Sequence, residues 1–568
     1  MPVPVLASRA ERLARLGAEA FDILVVGGGI TGAGVALDAA ARGLSVALVE
    51  RADFAEGTSS RSTKLVHGGL RYLPMLDIAL VREDLAERGR LLRNAPHLVR
   101  PLPFVLPLYA GARQPLGLHL PALLRAGLPL GLQCGLWAYD LLAGVGAARG
   151  LPGHRQIGRD AAAALVPSMR REGLRRAYLY YDATTDDARL TMTVIRSAVR
   201  RGAIACNYAE VEGFVFDGDR VTGARVLDRL TGARVTVAAG TTVNATGIWA
   251  ESVAALVARP GFRVRRAKGV HLVVPADRLP TGRTAFVLPE TDDGRLAFVV
   301  PWQGAVLVGT TDTEWDGPPD APTVEDRDVA YLLDHASRFL RAPLRREDVL
   351  GVYAGLRPLV TTAPAGRAPS ARLSRRHEVV PANGGFVTIV GGKLTSYRKM
   401  AEDVMNVALS RPAGTPSPTR DMALDGADGL AGAFARLRAR ARQLGVSRRT
   451  LLHLVRSYGT AAGAILDAVA ARRSLGDLLA PGHPYIAAEA VAAVRDEMAV
   501  TVADVLFRRT RLAHLLPRHG TEIAPRVAAL MAEELGWPAD ALDEEVRRYG
   551  AAAAALAAPG VTPATRSP

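Results

Sequence analysis

Three glycines near the start of the chain have the spacing of a phosphate-binding turn. Gly27, Gly29 and Gly32 follow a short apolar run, residues 23–26, and open a segment of helical character that extends to residue 42. In a strand-turn-helix unit the first glycine permits a tight turn, the second lets the backbone approach a pyrophosphate, and the third lets the helix pack closely on the strand. The helix N-terminus then faces the anion. This pattern predicts a dinucleotide site rather than merely a tight turn.

The residues that follow predict the elements that position this turn. Gly43 ends the helix, and residues 44–49 read as a second apolar strand. Glu50 stands at the end of that strand, where a carboxylate can bind the ribose of an adenosine. At this point the pattern is as compatible with NAD as with FAD.

A segment rich in glycine, serine and threonine comes soon after Glu50. Residues 57–73 read G-T-S-S-R-S-T-K-L-V-H-G-G-L-R-Y-L. This composition is typical of a solvated loop. Close behind the second strand, however, it can also fold over a cofactor and offer backbone N–H groups and hydroxyls to phosphates.

These two stretches together resemble the FAD-dependent glycerol-3-phosphate dehydrogenases, within the D-amino-acid oxidase-like flavoproteins. The form D-F-x-x-G-T-S-S-R-S-T-K is similar to the long, mitochondrial-type branch of that family. Further matches cover the chain from about residue 21 to 555: D-D-A-R-L at 186–190, A-T-G at 245–247, K-G-x-H at 268–271, G-T-T-D at 309–312, G-x-R-P at 355–358, S-R-x-H at 374–377 and G-G-K-L-T-x-Y-R at 391–398.

The resemblance implies FAD as the cofactor and a specific set of residues around it. It implies oxidation of sn-glycerol 3-phosphate to dihydroxyacetone phosphate, with electrons passed to a membrane quinone. An oxygen-dependent glycerol-3-phosphate oxidase is the first alternative, and an amine or amino-acid oxidase of the same fold is the second. The implied cofactor contacts are Gly27, Gly29, Ile30, Thr31, Gly32, Glu50, Thr58, Ser59, Ser60, Lys64, His67, Gly68, Gly69, Val211, Ala245, Thr246, Gly247, Gly392, Lys393, Leu394 and Thr395.

Oxidation of a secondary alcohol requires a base for the hydroxyl proton, and a phosphate monoester calls for several cations. An imidazole has a reference pKa of about 6.5, which makes His271 the expected base. Lys393 is the alternative base and would need burial to lower its pKa, whereas arginine cannot lose its proton. The resemblance makes His271, Lys393 and Arg357 the catalytic set. The expected substrate contacts are Arg71, Tyr72, His271, Arg357, Arg375 and Lys393.

Composition limits the other function classes. The 568 residues carry a formal charge of +15, which is compatible with an anionic partner or with a compositional preference for arginine. The charge pattern has no long Lys/Arg run interleaved with aromatic residues, so we expect no nucleic-acid partner. Two cysteines and no Cys/His cluster at metal-ligand spacing indicate a reducing compartment and no metal site. We read no secretory signal.

Residues 101–148 form an unusually apolar stretch. Asp140 is the only charged residue between Arg125 and Arg149, but Pro129 and several glycines disfavour a lipid-exposed spanning helix. A buried segment of a substrate domain and a surface that dips into an anionic bilayer both stay open. With the family resemblance, we expect a cytoplasmic protein attached peripherally to the inner face of the cell membrane; the sequence is also compatible with a homodimer.

The predicted architecture is an α/β Rossmann-type FAD-binding domain, an antiparallel β-sheet substrate domain and an all-α C-terminal domain. The predicted boundaries are 1–20 for an N-terminal helical extension; 21–100, 176–255 and 350–410 for the FAD-binding domain; 101–175 and 256–349 for the substrate domain; 411–420 for a linker; 421–555 for the helical domain; and 556–568 for a disordered tail.

Overall fold

Two large sheets and a helical C-terminal region make up the molecule. The computed structural model describes residues 7–73, 77–110, 128–144, 150–293, 296–361, 376–382 and 384–560. The two sheets contain eight and ten strands among these residues. This architecture confirms the predicted fold class.

The first sheet is mainly parallel and contains the strands on both sides of the glycine turn. Ala20–Val26 pairs in parallel with Val46–Val49 and with Arg234–Asn244, which brings the turn after residue 26 close to the segment after residue 244. The path through the sheet is His377–Ala382, Phe386–Gly391, Arg234–Asn244, Ala20–Val26, Val46–Val49 and Ile204–Cys206, with Ala209–Asp217 and Arg220–Asp228 added as antiparallel strands.

Helices cover this sheet because apolar residues fill the layer between them. Ile30–Ala41 is buried along most of its length and packs against Asp187–Val199 and Tyr397–Ala408. Asp186 caps the second of these helices, since its Oδ1 accepts the N–H of Arg189 at 3.1 Å. Such a cap satisfies one of the unpaired N–H groups at the start of the helix. Further α-helices before residue 411, among the described residues, are Arg9–Ala18, Ile78–Asn94, Leu128–Gly144, Arg159–Leu165, Ala250–Ala254 and Asp326–Ser337.

The second sheet is mostly antiparallel and lies next to the first. Its path is Thr313–Glu314, Arg263–Pro275, Ala305–Gly309, Ala297–Trp302, Ala285–Leu288, Arg100–Tyr109, Leu174–Thr184 and Leu65–Val66. Gly351–Thr361 pairs with Arg263–Pro275, and Arg155–Ile157 pairs with Leu174–Thr184.

Strand pairing corrects two predicted domain boundaries. The boundary at residue 176 falls inside Leu174–Thr184, and the boundary at 350 assigns Gly351–Thr361 to the wrong sheet. Both strands pair with strands of the second sheet over ten or more residues. The sequence could not show this, because sheet membership depends on distant partners rather than on local composition.

The C-terminal region is helical, as predicted, and shares its core with the second sheet. Its helices are Leu430–Gln443, Arg448–Tyr458, Ala462–Ala471, Ala487–Arg495, the π-helix Asp504–Arg509, Leu512–Leu515, Ala524–Leu535 and Ala539–Ala554. Tyr353 and Leu307 of the sheet belong to one continuous apolar cluster with Leu454, Val505 and Leu512 of the helices. The helical region is therefore part of the same body as the sheet.

The predicted disordered tail begins too early. Leu556 is buried, and its carbonyl accepts the N–H of Val352 at 2.9 Å. The carbonyl of Pro559 accepts a hydrogen bond from Arg346 at 3.0 Å. Residues 556–560 are thus packed, and the rest of the predicted tail lies outside the described residues.

Candidate active site

A single long cavity of about 1270 Å³ runs from the glycine turn of the first sheet to the second sheet. Its wall includes residues that are far apart in the sequence, from Val26 to Met400, because the parallel strands bring their carboxyl ends to the same edge. The expected site residues on this wall are Gly27, Gly29, Ile30, Thr31, Glu50, Thr58, Ser59, His67, Gly69, Tyr72, Val211, Ala245, Thr246, Gly247, His271, Arg357, Gly392, Lys393, Leu394 and Thr395.

The glycine turn leaves no space for side chains. A Cβ atom at Gly32 would lie 1.8 Å from the carbonyl oxygen of Gly27, and one at Gly27 would lie 2.8 Å from that of Ala245. Gly27 also has φ of 109°, which favours glycine. The helix that begins at Ile30 faces the cavity with its N-terminus, where Gly29 provides no side-chain cap and the hydroxyl of Ser59 accepts the N–H of Ile30 at 2.8 Å. Such an end binds a phosphate group readily.

The side chain of Glu50 is hydrogen-bonded to the backbone of the glycine turn. One carboxylate oxygen accepts the N–H of Gly28 at 2.6 Å, and the other accepts that of Ala52 at 2.9 Å. Burial raises the pKa of Glu50. The side chain is thus fixed at the strand end, on the cavity wall beside Val211.

A three-residue clasp lies over the same end of the cavity and was not foreseen from the sequence. The guanidinium of Arg51 stacks 4.4 Å from the ring centroid of Trp249 and pairs with Asp320. The indole N–H of Trp249 donates to the same carboxylate at 2.8 Å. We call Arg51, Trp249 and Asp320 the clasp. No local motif marks it, because its members come from three separate segments.

Four expected cofactor contacts do not lie on the cavity wall: Gly32, which packs against Gly27 in the turn, and Ser60, Lys64 and Gly68. Lys64 is buried, with its Nζ 2.8 Å from both carboxylate oxygens of Asp187 and 2.6 Å from the carbonyl of Ser60. The hydroxyl of Ser60 faces nearby backbone carbonyls at 3.5 Å. Gly68 packs against Leu85 and Tyr139. Ser60, Lys64 and Gly68 thus contact other parts of the protein, and their role as cofactor contacts stays a prediction.

His271 lies in the second sheet at the far end of the cavity. It is 2% exposed, and its Nε2 lies 2.9 Å from the hydroxyl of Thr63. Burial, with Lys64 and Arg357 nearby, holds the pKa of His271 well below its usual range. The imidazole is therefore neutral at neutral pH, and the same surroundings make it a weaker base than a free imidazole.

Packing fixes the orientation of the His271 ring. Tyr353 stacks on it with ring centroids 4.8 Å apart and an interplanar angle of 12°. On the neighbouring strand, a Cβ atom at Gly309 would lie 2.4 Å from the imidazole. A glycine is therefore required there for the ring to lie flat between the strands.

Arg357 extends into the cavity beside His271. Its guanidinium donates to the hydroxyl of Thr310 at 3.0 Å and pairs with Asp312 at 3.1 Å. The side chain is 25% exposed, and a Cβ atom at Gly269 would lie 2.5 Å from its Nη2. Gly269, from the predicted K-G-x-H strand, therefore leaves space for this cation, whose guanidinium also donates to the carbonyl of Thr311 at 3.2 and 3.3 Å.

Lys393 provides a second cation on the cavity wall. Its ammonium pairs with Asp84 at 2.5 Å and lies 4.2 Å from the ring centroid of Tyr72. Asp84 is fully buried, and burial raises its pKa to about 6. The Asp84 carboxylate accepts a hydrogen bond from Lys393 and holds its Nζ in place on the cavity wall.

Two expected substrate contacts can be placed only in part. The backbone of Arg71 belongs to the short 3₁₀ turn Leu70–Tyr72, but its side chain lies outside the described residues. Arg375 lies outside them entirely. Thr63 and Asp84 are contacts that the sequence reasoning missed. Thr63 was part of a quoted motif, whereas Asp84 lies mid-helix without any local sign of its partner.

One wall of the cavity is apolar and leads to the helix Leu128–Gly144. Leu132 and Leu136 of this helix line the cavity, together with Leu73 and Ile78. On the other face of the helix, Leu130, Trp137 and Leu141 are 70%, 66% and 70% exposed. Among the described residues, none of the helices is both long enough and apolar enough to cross a membrane.

Comparison with known proteins gives consistent matches over the chain. A family model described as FAD dependent oxidoreductase matches residues 22–398, and one described as the C-terminal domain of alpha-glycerophosphate oxidase matches residues 417–542. Glycerol-3-phosphate dehydrogenase 2 of Mycobacterium tuberculosis is 40% identical over 96% of this chain and 90% of its own length. The human protein named "Glycerol-3-phosphate dehydrogenase, mitochondrial" is 37% identical over 91% of this chain and 71% of its own length.

A solved structure agrees with these sequence matches. The glycerol-3-phosphate dehydrogenase from Bacillus halodurans, complexed with FAD, superimposes with a TM-score of 0.77 at 29% identity and covers 98% of both chains. The L-alpha-glycerophosphate oxidase of Mycoplasma pneumoniae shares the fold, with a TM-score of 0.53 at 17% identity.

Proposed function

Because the chain belongs to the family of FAD-dependent glycerol-3-phosphate dehydrogenases, we propose that it oxidises sn-glycerol 3-phosphate to dihydroxyacetone phosphate and passes the electrons to a membrane quinone. The observation that carries the proposal is the cavity that joins the glycine turn to His271, Arg357 and Lys393. It places a dinucleotide cradle, a neutral imidazole and two cations in one space.

The cradle fits FAD. The glycine turn and the helix N-terminus beyond it suit a pyrophosphate, and Glu50 suits the ribose at the adenosine end. Residues 245–247 lie against the glycine turn, and residues 392–395 line the same cavity. When bound, FAD supplies the acceptor for the hydride that leaves C2 of the substrate.

The protein's own contribution is to hold the substrate and to accept its proton. Arg357 and Lys393 bind the phosphate, with Tyr72, Arg71 and Arg375 as further proposed contacts. The C2–H bond breaks with its electron pair, and the hydroxyl proton passes to Nε2 of His271 as the C2–O double bond forms. The phosphate ester is unchanged, and His271 releases the proton to solvent. We assign the base to His271 rather than Lys393, since Asp84 stabilises the protonated ammonium.

The apolar helix Leu128–Gly144 supports a quinone as the electron acceptor. Its inner face, with Leu132 and Leu136, lines the cavity, and its outer face exposes Leu130, Trp137 and Leu141. Exposed apolar side chains of this size favour burial in the interfacial region of a bilayer. We propose peripheral attachment to the inner face of the cell membrane, so that a lipid-dissolved quinone can approach along this helix.

Steady-state assays test the acceptor. The proposal expects turnover of glycerol 3-phosphate with a short-chain ubiquinone that exceeds turnover with oxygen alone by at least about tenfold, a difference of about 1.4 kcal/mol in barrier height. Turnover that needs only oxygen and yields hydrogen peroxide would favour the oxidase alternative, which the name of the C-terminal family model also suggests.

Vesicle flotation tests the membrane attachment. We expect the protein to float with vesicles of phosphatidylcholine and phosphatidylglycerol, and Trp137→Ser with Leu141→Ser to abolish this. Leu230→Ser is the matched control, because Leu230 is 47% exposed on a remote turn. Equal flotation of both variants would contradict attachment through this helix.

A further inference from the structure

A buried arginine of the C-terminal helical region contacts the loop that contains Ser60 and Lys64. Arg511 is 1% exposed and precedes the short helix Leu512–Leu515. Its Nη2 donates to the carbonyl of Ser60 at 3.1 Å and also pairs with Asp187. Its Nε lies 3.2 Å from Asp186. The arginine thus connects the loop to the start of the helix Asp187–Val199.

Side chains of the loop itself also bind the carboxylate of Asp187. Lys64 pairs with Asp187, and the N–H and hydroxyl of Ser62 donate to Asp187 at 2.9 and 2.7 Å. Two cations, Arg511 and Lys64, therefore face two anions, Asp186 and Asp187. Although burial opposes ionisation, Lys64 and Arg511 hold the pKa of Asp187 below its usual range.

The loop held in this way carries the partner of the proposed base. Thr63, between Ser62 and Lys64, has its hydroxyl 2.9 Å from Nε2 of His271. The hydroxyl of Tyr353 donates to the carbonyl of Ser62 at 2.9 Å, while its ring stacks on His271. A shift of the loop would therefore move Thr63 and Tyr353 together relative to the imidazole.

We propose that Arg511 is a positioning residue for the oxidation step, which acts through Ser60 and Asp187 on the loop and thereby on the Thr63–His271 pair. This rests on the proposed function, since it assigns a role in that reaction to the helical region. Buried ion pairs add little net stability relative to apolar packing. Their effect here is on geometry, because each hydrogen bond fixes one point of the loop.

Kinetics of Arg511 variants test the proposal. We expect Arg511→Met to lower kcat by about 10- to 100-fold, as a displacement of about 1 Å at a reacting group does, and to change KM less than about threefold. Arg511→Lys keeps the charge and restores part of kcat. Arg495→Met is the control, because Arg495 pairs with Glu534 inside the helical region, with 60% of its side chain exposed. We expect wild-type kcat for that variant.

A second readout separates this proposal from the proposed function. The absorption spectrum of bound flavin and the rate of flavin release report on the loop without any turnover, and both shift in Arg511→Met but not in Arg495→Met. Wild-type enzyme that fails to oxidise glycerol 3-phosphate overturns the function, whereas an unchanged spectrum, release rate and kcat in Arg511→Met overturns the positioning role.

If Arg511→Met does not fold, the variant Ser62→Ala tests the same proposal. This change removes the hydroxyl that donates to Asp187 and leaves all four charges in place. We expect a smaller fall in kcat, about threefold to tenfold, since one neutral-to-charged hydrogen bond is lost. Unchanged kcat in Ser62→Ala would overturn the proposal in its turn.

Discussion

The Nε2 atom of His271 lies 2.9 Å from the hydroxyl oxygen of Thr63. The other ring nitrogen, Nδ1, is buried without a protein hydrogen-bond partner among the residues that the structure describes. Nε2 is the ring atom that faces the hydroxyl, and it is the atom that we propose as the acceptor of the substrate's hydroxyl proton. The relationship also explains why the loop and the second sheet must keep their relative position.

Removal of the proposed base should slow the reaction without loss of the cofactor. We expect His271→Gln to lower kcat by about 10²- to 10⁴-fold, the usual range for general-base catalysis. The flavin content should match wild type, because the glycine turn is unaffected. Steady-state kinetics check this, with Thr63→Val as a milder companion. Wild-type kcat in His271→Gln would return the role of base to Lys393.

Loss of the Arg357 cation should weaken substrate binding. A charge-assisted hydrogen bond contributes about 1.5–3 kcal/mol, so we expect Arg357→Met to raise KM by about 10- to 100-fold. Arg265→Met is the control, since Arg265 lies in the same sheet and pairs with Glu314. A KM within twofold of wild type, or turnover of an amino acid in place of the phosphate ester, would contradict the assignment.

Acid should destabilise the fold through a buried neutral histidine outside the site. Burial, with Arg189 and Arg196 nearby, lowers the pKa of His97 to about 4. In the unfolded chain the pKa of this histidine is about 6.5. Between about pH 4 and pH 6.5, therefore, the unfolded chain binds a proton at His97 and the folded chain does not. The contribution of neutral His97 is complete above about pH 6.5 and falls as the pH drops toward 4.

The variant His97→Leu removes this proton uptake. From pH 7 to pH 5 the wild type should lose about 2 kcal/mol of unfolding free energy through this group, and the variant should not. Thermal midpoints of both proteins at the two pH values measure the difference. Parallel decreases in the two midpoints would show that His97 is not held neutral.

The clasp should slow the release of FAD. Asp320 accepts the indole N–H of Trp249 and pairs with Arg51, and its side chain is 59% exposed. Exposed pairs contribute up to about 1 kcal/mol, so we expect Asp320→Asn to speed flavin release by about fivefold. Flavin fluorescence after dilution measures this. Asp316→Asn, in the same segment, is the control. Equal rates of flavin release from the two variants would contradict a role of the clasp in retaining FAD.

Local features of the sequence were sufficient to predict the strand-turn-helix unit that contains the glycine turn. Gly27, Gly32 and Glu50 act through neighbours in one strand-turn-helix-strand unit, so their spacing was sufficient. The fold class followed from the same signal and from the change to helical periodicity after residue 420.

Features that depend on distant partners could not be predicted. Lys64 was expected at the cofactor, but its partner Asp187 is 123 residues away, and the carboxylate directs the ammonium away from the cavity. Asp84 and Lys393 are separated by 309 residues, and the members of the clasp come from three segments. In each case the fold determines which charged side chains become partners. Composition and periodicity do not contain this information.

Anaerobic titration of the purified protein with sn-glycerol 3-phosphate tests the central claim most directly. The account predicts that the absorbance of oxidised flavin at about 450 nm is lost, since the bound cofactor receives the hydride. Dihydroxyacetone phosphate should form in proportion to the flavin reduced. The same titration of His271→Gln should reach a similar end point far more slowly. A flavin that stays oxidised in the wild-type protein, with no dihydroxyacetone phosphate formed, would contradict the account.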